Sequence, residues 1–146
     1  MLDQPQRIDL YTNAEVPPAI RLRLRFLSTT SGDEVLERAR QVMRLVAVAQ
    51  AQVWPSDDDW RRRLPEWFIS SFEGHNLEEL LARPELWDFG SWLDAMKSPG
   101  WEWWSCQSDD RGGTVRAVAH SDPFSIEPLI YLLRVAGASG VEFDEE

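Results

Sequence analysis

Cysteine and histidine are the residues of this chain best suited to nucleophilic or acid-base chemistry, and both are scarce. The sequence contains one cysteine, Cys106, and two histidines, His75 and His120. A thiolate and an imidazole that react together must lie within hydrogen-bonding distance. Cys106 and His120 flank a glycine-containing turn, and the alternation described below places their side chains on opposite faces of a hairpin. We therefore predict that Cys106 is a buried structural residue and that the chain is not an enzyme.

A second candidate pair for proton transfer is His120 with Asp122, in the sequence "AHSDP". A carboxylate orients the catalytic histidine in many enzymes. Residues of these types at the end of a strand more often form a turn and a helix cap, and Asp122 directly precedes Pro123, as N-cap residues commonly do. We interpret Asp122 as a cap. A small hydrolase or transferase that uses Cys106 or His120 stays open as an alternative.

Clustered carboxylates in "SDDDW" suggest a metal site, because hard cations prefer carboxylate oxygens. Residues 57–59 lack the spacing and the glycine of a calcium-binding loop, and three arginines follow them after Trp60. Acids in the first turn and bases in the last turn of a helix complement its dipole. His75 is isolated, and the chain has neither a phosphate-binding loop nor a dinucleotide fingerprint. We predict no metal and no cofactor.

The most unusual segment is "WEWWSCQS", which together with "GTVRAVAH" flanks a polar turn and predicts a β-hairpin over residues 101–107 and 114–120. A turn centred on Arg111 and Gly112 places Trp103 opposite His120 and Cys106 opposite Ala117. One face then carries Trp104, Cys106, Val115, Ala117 and Ala119, and the other carries Trp101, Trp103, Ser105, Gln107, Arg116, Val118 and His120. A slip of one residue would exchange these faces. We expect Trp104 to be a core residue, whereas Trp101 and Trp103 are either covered by a helix or exposed for recognition.

The elements that must position this hairpin are predicted from periodicity. "AIRLRLRFL" alternates apolar residues with Arg21, Arg23 and Arg25, which is typical of a strand with one buried face. An earlier run, "RIDLYT", carries the same alternation at Ile8 and Leu10. A long helix is predicted over residues 33–52 from Ser31 with Glu34 at capping-box spacing, followed by an apolar stripe that continues to Val53.

Shorter helical segments follow, interrupted at Pro65 and Pro84, with Ser56 and Asn76 as predicted N-caps. "SIEPLIYLLRVAGA" predicts a helix over residues 125–136, and "VEFD" predicts a last strand. Strands at both ends with a helical middle indicate a single α+β domain, 1–146, with a mainly antiparallel sheet packed with helices. The three arginines of the first strand are expected to pair with the acids of "VEFDEE".

Charge restricts the class of partner. The chain has 15 basic and 25 acidic residues, a net charge of −10, and residues 74–146 alone hold 5 basic and 14 acidic residues, a net charge of −9. This charge repels phosphate backbones and anionic membranes, so we predict neither a nucleic acid nor a membrane partner. A basic protein is the favoured partner. The single cysteine and the lack of a signal-peptide pattern fit a cytoplasmic location.

The runs "GSWLDAMKSPGWEWWSC" and "LIYLLRVAGA", together with small size, acidity and many tryptophans, resemble the immunity proteins of bacterial polymorphic and contact-dependent toxin systems. The resemblance is to a class and carries no residue roles. It implies a protein that binds a cognate toxin domain directly, often covering the active site of the toxin with an acidic face.

We therefore expect an immunity-type protein whose partner-binding surface consists of Trp101, Glu102, Trp103, Asp109, Asp110, Arg116 and His120. Exposed aromatic and arginine side chains ringed by acids are typical of interface hot spots. An alternative is a small-molecule-binding module in which Trp101, Trp103, Trp87 and Trp92 line one pocket. The sequence leaves the oligomeric state open.

Overall fold

A four-stranded antiparallel sheet and six helices make up the part of the chain that the computed structural model describes, residues 20–83, 85–121 and 123–146. The predicted strand around Ile8 and Leu10 and the predicted cap Asp122 lie outside these residues. In chain order the elements are β1 (Ile20–Ser28), α1 (Gly32–Gln50), α2 (Asp57–Arg63), α3 (Glu66–Ile69), a 3₁₀ turn (Ser70–Phe72), α4 (Leu77–Ala82), α5 (Phe89–Lys97), β2 (Trp101–Ser108), β3 (Gly112–Ala119), α6 (Glu127–Val135) and β4 (Ala138–Glu145). The predicted α+β class is confirmed.

The strand order is β2-β3-β1-β4, so the arginine-containing strand β1 is internal. Its alternation works as predicted: Leu22, Leu24 and Phe26 are buried on the face that packs against the helices. We call this the core face of the sheet, and the side that carries Arg23 and Arg25 the second face. Because β-strand side chains alternate between faces, the two-residue period of the sequence was sufficient to assign them.

Helix α1 lies across β1, β2 and β3. Ser31 is its N-cap, with the Oγ accepting a hydrogen bond from the backbone N–H of Glu34, as the sequence predicted. The helix ends at Gln50, earlier than the apolar stripe suggested, and Val53 is 93% exposed. The predicted caps Ser56 and Asn76 are also confirmed, at the starts of α2 and α4.

An aromatic cluster joins the middle helices to α6. Phe68 makes edge contacts with Phe72, Trp92 and Tyr131 at centroid distances of 5.1, 4.7 and 6.3 Å. The indole N–H of Trp92 donates a 3.0 Å hydrogen bond to the backbone carbonyl of Pro128, at the start of α6. Aromatic pairs at these distances and tilts add stability beyond the area that they bury. This cluster extends the core beyond the sheet.

Strand β4 pairs with the outer side of β1 and brings the acidic C-terminal residues to the arginines. Arg23 makes two hydrogen bonds to the Asp144 carboxylate, at 3.1 and 2.8 Å, and Arg25 lies 3.8 Å from Glu142. The guanidinium of Arg23 lowers the pKa of Asp144 below its usual value through a hydrogen bond and its charge. The predicted pairing of the β1 arginines with "VEFDEE" is confirmed for Arg23 and Arg25, and Arg116 of β3 joins it through a 3.0 Å contact with Glu146.

The hairpin forms as predicted, but its register differs. Its turn is centred on Asp110 and Arg111, one residue earlier than expected, and Cys106 opposes Val115. A bulge between Trp103 and Ser105 adds one residue to β2, so that Trp103 opposes Ala117 and Trp101 opposes Ala119. One extra residue reverses the alternation beyond it. The predicted faces are therefore right for Cys106 and wrong for the tryptophans.

Candidate functional site

Trp101 and Trp103 are core residues. Their exposed fractions are 4% and 0%, and both belong to the core cluster with Ala117 and Ala119. The indole N–H of Trp101 donates a hydrogen bond to the backbone carbonyl of Ser125, before α6. The exposed position considered for these two tryptophans is wrong, and in the folded protein they cannot serve as anchors for a partner.

Trp104 is also buried, but at a different place in the sheet. It lies at the bulge next to Ser105, which opposes Arg116 of the second face. Trp104 is 7% exposed, so its predicted burial is confirmed, but it does not belong to the core cluster that contains Trp101, Trp103 and Cys106. Val118 is similarly buried outside the cluster, and it opposes Glu102 in the neighbouring strand. The reason is again the bulge. In a regular strand Trp104 and Cys106 would lie on the same face, and the extra residue at the bulge removes that alternation.

Cys106 lies on the core face near the buried side chain of Arg40 from α1. Burial raises the pKa of the thiol to about 12, and the charge of Arg40 offsets this only in part. His120 lies beyond the end of β3, is 53% exposed and has its Nε2 atom 3.5 Å from the Glu102 carboxylate. One group is thus buried in the core and the other is at the surface, which agrees with the predicted separation of their side chains.

We expect the Cys106 thiol to react with iodoacetamide at pH 7.5 at least about 100-fold more slowly in the native protein than in guanidinium chloride. Only the thiolate is nucleophilic, and a raised pKa and burial both suppress it. The measurement is the time course of mass increase with and without denaturant. Rapid native labelling would contradict the core position of this residue and restore it as a candidate nucleophile.

Two of the predicted partner-binding residues, Asp109 and Asp110, are exposed at the hairpin turn. Asp109 has a structural role there, because its Oδ1 accepts 2.8 Å hydrogen bonds from the backbone N–H groups of Arg111 and Gly112. The turn borders a cleft of about 480 Å³ whose lining consists of Arg25, Phe26, Leu27, Asp109, Asp110, Arg111, Gly113, Thr114, Gly140 and Glu142. We call it the turn cleft.

The seven predicted binding residues do not form one surface. Asp109 and Asp110 lie at the turn, whereas Glu102 and His120 lie at the opposite end of the hairpin, and Arg116 lies between them on the second face. At about 3.3 Å per strand residue the two ends are roughly 20 Å apart. The exposed members therefore divide into a turn group and a far-end group.

A second cleft lies beside α4 and has a volume of about 340 Å³. It is lined by Leu77, Leu80, Leu81, Leu86, Trp87, Asp88 and Ser91. None of the predicted site residues belongs to this cleft, although the helical spacing of the leucines in "NLEELLARPELW" is a visible signal for it. Of the four tryptophans suggested as pocket walls, only Trp87 lines either cleft, since Trp92 is 0% exposed and packs in the core. The prediction that these four tryptophans line one pocket is therefore wrong.

Within the described ranges, no three His, Cys, Asp or Glu side chains are grouped closely enough to hold a metal ion. The helices of the same ranges include none with the length and apolarity to span a bilayer. No family model, curated protein or solved structure matches this chain.

Proposed function

We propose that this chain is a cytoplasmic, immunity-type protein that binds and neutralises a basic toxin domain. The observation that carries the proposal is the placement of the acids in its second half. Every described Asp and Glu in residues 74–146 is exposed or half-exposed, and none is buried in the core. Surface charge of one sign attracts a partner of the opposite sign and raises the association rate.

The turn cleft is the part of this surface that best supports a local contact. Asp110 and Glu142 both line this cleft and are exposed, and Leu27, which is 52% exposed, adds an apolar side chain to the same lining. Interfaces combine desolvated apolar contacts at the centre with charged groups at the rim. The turn cleft replaces the tryptophans as the proposed contact, with Asp110 and Glu142 as the acids to be tested; Arg25 and Arg111 also line it.

The test uses the C-terminal domain of the protein that the reading frame directly upstream of this gene encodes. That domain, called the upstream domain below, is purified for binding measurements and is also co-expressed with this chain. We expect the two proteins to bind and co-expression to relieve growth inhibition. For Asp110→Asn with Glu142→Gln we expect an association rate lowered by about 3- to 10-fold and a weaker dependence on salt, since rim charges act mainly on association. Stopped-flow association at several salt concentrations measures both.

A matched control removes the same charge elsewhere. Glu127→Gln with Glu145→Gln alters exposed acids away from the turn, because Glu145 opposes Leu22 at the other end of β1. We expect this control to change the association rate by less than about 2-fold at moderate salt, where distant charges are screened. Equal slowing by both pairs would mean that the turn cleft is not the contact, and an upstream domain that is neither toxic nor bound would contradict the proposed function.

A further inference from the structure

The cleft beside α4 exposes more apolar surface than any role in the core requires. Leu77 and Leu81 are 70% and 78% exposed, and Leu80, Leu86 and Trp87 are half-buried around the same cleft. We call these five residues the α4 groove. Scattered exposed leucines are ordinary, but adjacent ones around a concave site mark an interaction surface. None of the six residues of α4 is buried, so this helix adds little to the core.

The segment that forms the α4 groove is acidic, and one of its acids, Asp88, lines the cleft. Residues 73–88 contain five acids, Glu73, Glu78, Glu79, Glu85 and Asp88, against one arginine, a net charge of −4. Arg83 is already occupied by a 2.8 Å contact with Glu85. Glu78 makes no ion pair or hydrogen bond through its side chain with the described residues, and it lies one position from Leu77. The groove is thus an apolar cleft in a segment of net negative charge, with Asp88 in its lining.

The apolar cleft and the acidic residues of its segment together favour one kind of binding partner over another. A second copy of the chain would bring two segments of net negative charge together, and like charges across an interface oppose association. A segment with apolar side chains flanked by lysine or arginine would satisfy both the leucines and the acids. Leu77 and Leu81 are one helical turn apart, and a groove of about 340 Å³ has room for one or two side chains of an amphipathic helix.

We propose that the α4 groove docks a basic amphipathic helix of the partner protein, with the apolar anchors of that helix between Leu77, Leu81 and Trp87. The proposal deepens the proposed function and rests on it for the identity of the partner. The acidic surface accelerates the encounter with the partner but does not by itself slow dissociation. The α4 groove would do so, because apolar anchors buried at an interface slow dissociation.

The first experiment does not need the partner. The probe is a synthetic amphipathic peptide of leucine and lysine, and the readout is the NMR shift of the Trp87 indole N–H, identified with Trp87→Phe. We expect a saturable shift with the wild type and at least about 10-fold weaker binding for Leu77→Ser with Leu81→Ser. A peptide with glutamate in place of lysine should not bind. Equal binding of both peptides, or no loss in the variant, would overturn the proposal.

The second experiment uses the upstream domain and separates the two proposals. Leu77→Ser with Leu81→Ser should raise the rate at which the upstream domain dissociates from this chain by about 10-fold or more. The melting temperature of the chain should not change, because both leucine side chains are already exposed to water. The matched control, Val48→Ser with Val53→Ser, alters residues that are 42% and 93% exposed and should leave the rate within about 2-fold.

The outcomes are distinguishable. If the wild type binds the upstream domain and the leucine variant dissociates like the wild type, the groove proposal is wrong and the proposed function stands. If the wild type does not bind that domain but binds the lysine peptide at the groove, the proposed function fails alone. A wild-type dimer in sedimentation velocity that the leucine variant converts to a monomer would assign the groove to self-association and overturn the docking proposal.

Discussion

Gly112→Ala is expected to lower the free energy of unfolding by about 3 kcal/mol or more, at the upper end of overpacking costs. Gly112 begins β3, and a Cβ at this position would overlap the backbone carbonyl oxygen of Phe26 and lie 2.8 Å from the Cα of Leu27. These are backbone atoms of the central strand, so they cannot move aside as a flexible side chain could. The close approach continues into the helix layer, because a Cβ on Gly32 at the start of α1 would overlap the carbonyl oxygen of Gly112.

Urea denaturation followed by circular dichroism measures this effect, and Gly90→Ala is the matched control. Gly90 lies in α5, where an added Cβ would be 3.4 Å from the nearest atom, an Oδ2 of Asp57. Alanine should be neutral there or should stabilise the protein by up to about 1 kcal/mol through helix propensity. Similar unfolding midpoints for the two variants would show that β1, β3 and α1 do not approach each other as described.

Trp103→Ala should cost about 3–5 kcal/mol of stability, the range for truncating a fully buried tryptophan. The side chain is 0% exposed on the core face, where it opposes Ala117. Alanine at 117 and 119 leaves room for large rings from β2, and removal of the indole therefore leaves a cavity that small neighbours cannot fill.

The measurement is again urea unfolding, with Val53→Ala as the surface control, expected within about 0.5 kcal/mol of the wild type. A Trp103→Ala protein as stable as the wild type would mean that the indole points away from the core. That result would restore Trp103 as an exposed anchor and return the hairpin to the register without a bulge.

The error at the tryptophans has a definite physical origin. Alternation predicts faces only while each residue of one strand opposes one residue of the other, and the bulge at Trp104 breaks that rule. Nothing in the composition of "WEWWSCQS" marks the extra residue. Cys106, between the bulge and the turn, was predicted on the correct face because the two-residue change in register preserves the alternation there.

The exposed leucines of α4 were missed for a different reason. Helical spacing in "NLEELLA" identifies an apolar side, and in most short helices that side faces the core. Whether a core is present beside it depends on how the other segments pack, and none of the six residues of α4 is buried. Leu77 and Leu81 therefore stay at the surface.

The sequence by itself determined the local structure of this protein. The strand β1, the helix α1 with its Ser31 cap, the hairpin and the pairing of Arg23 and Arg25 with the C-terminal acids follow from period, capping chemistry and charge, which act between neighbours or between adjacent strands. Only the tertiary structure decided which tryptophans are buried in the core, how the acids distribute over the turn and the far end of the hairpin, and that the α4 leucines are exposed. Those properties depend on the space left by distant segments, because burial is a property of the packed layers and no single segment specifies it.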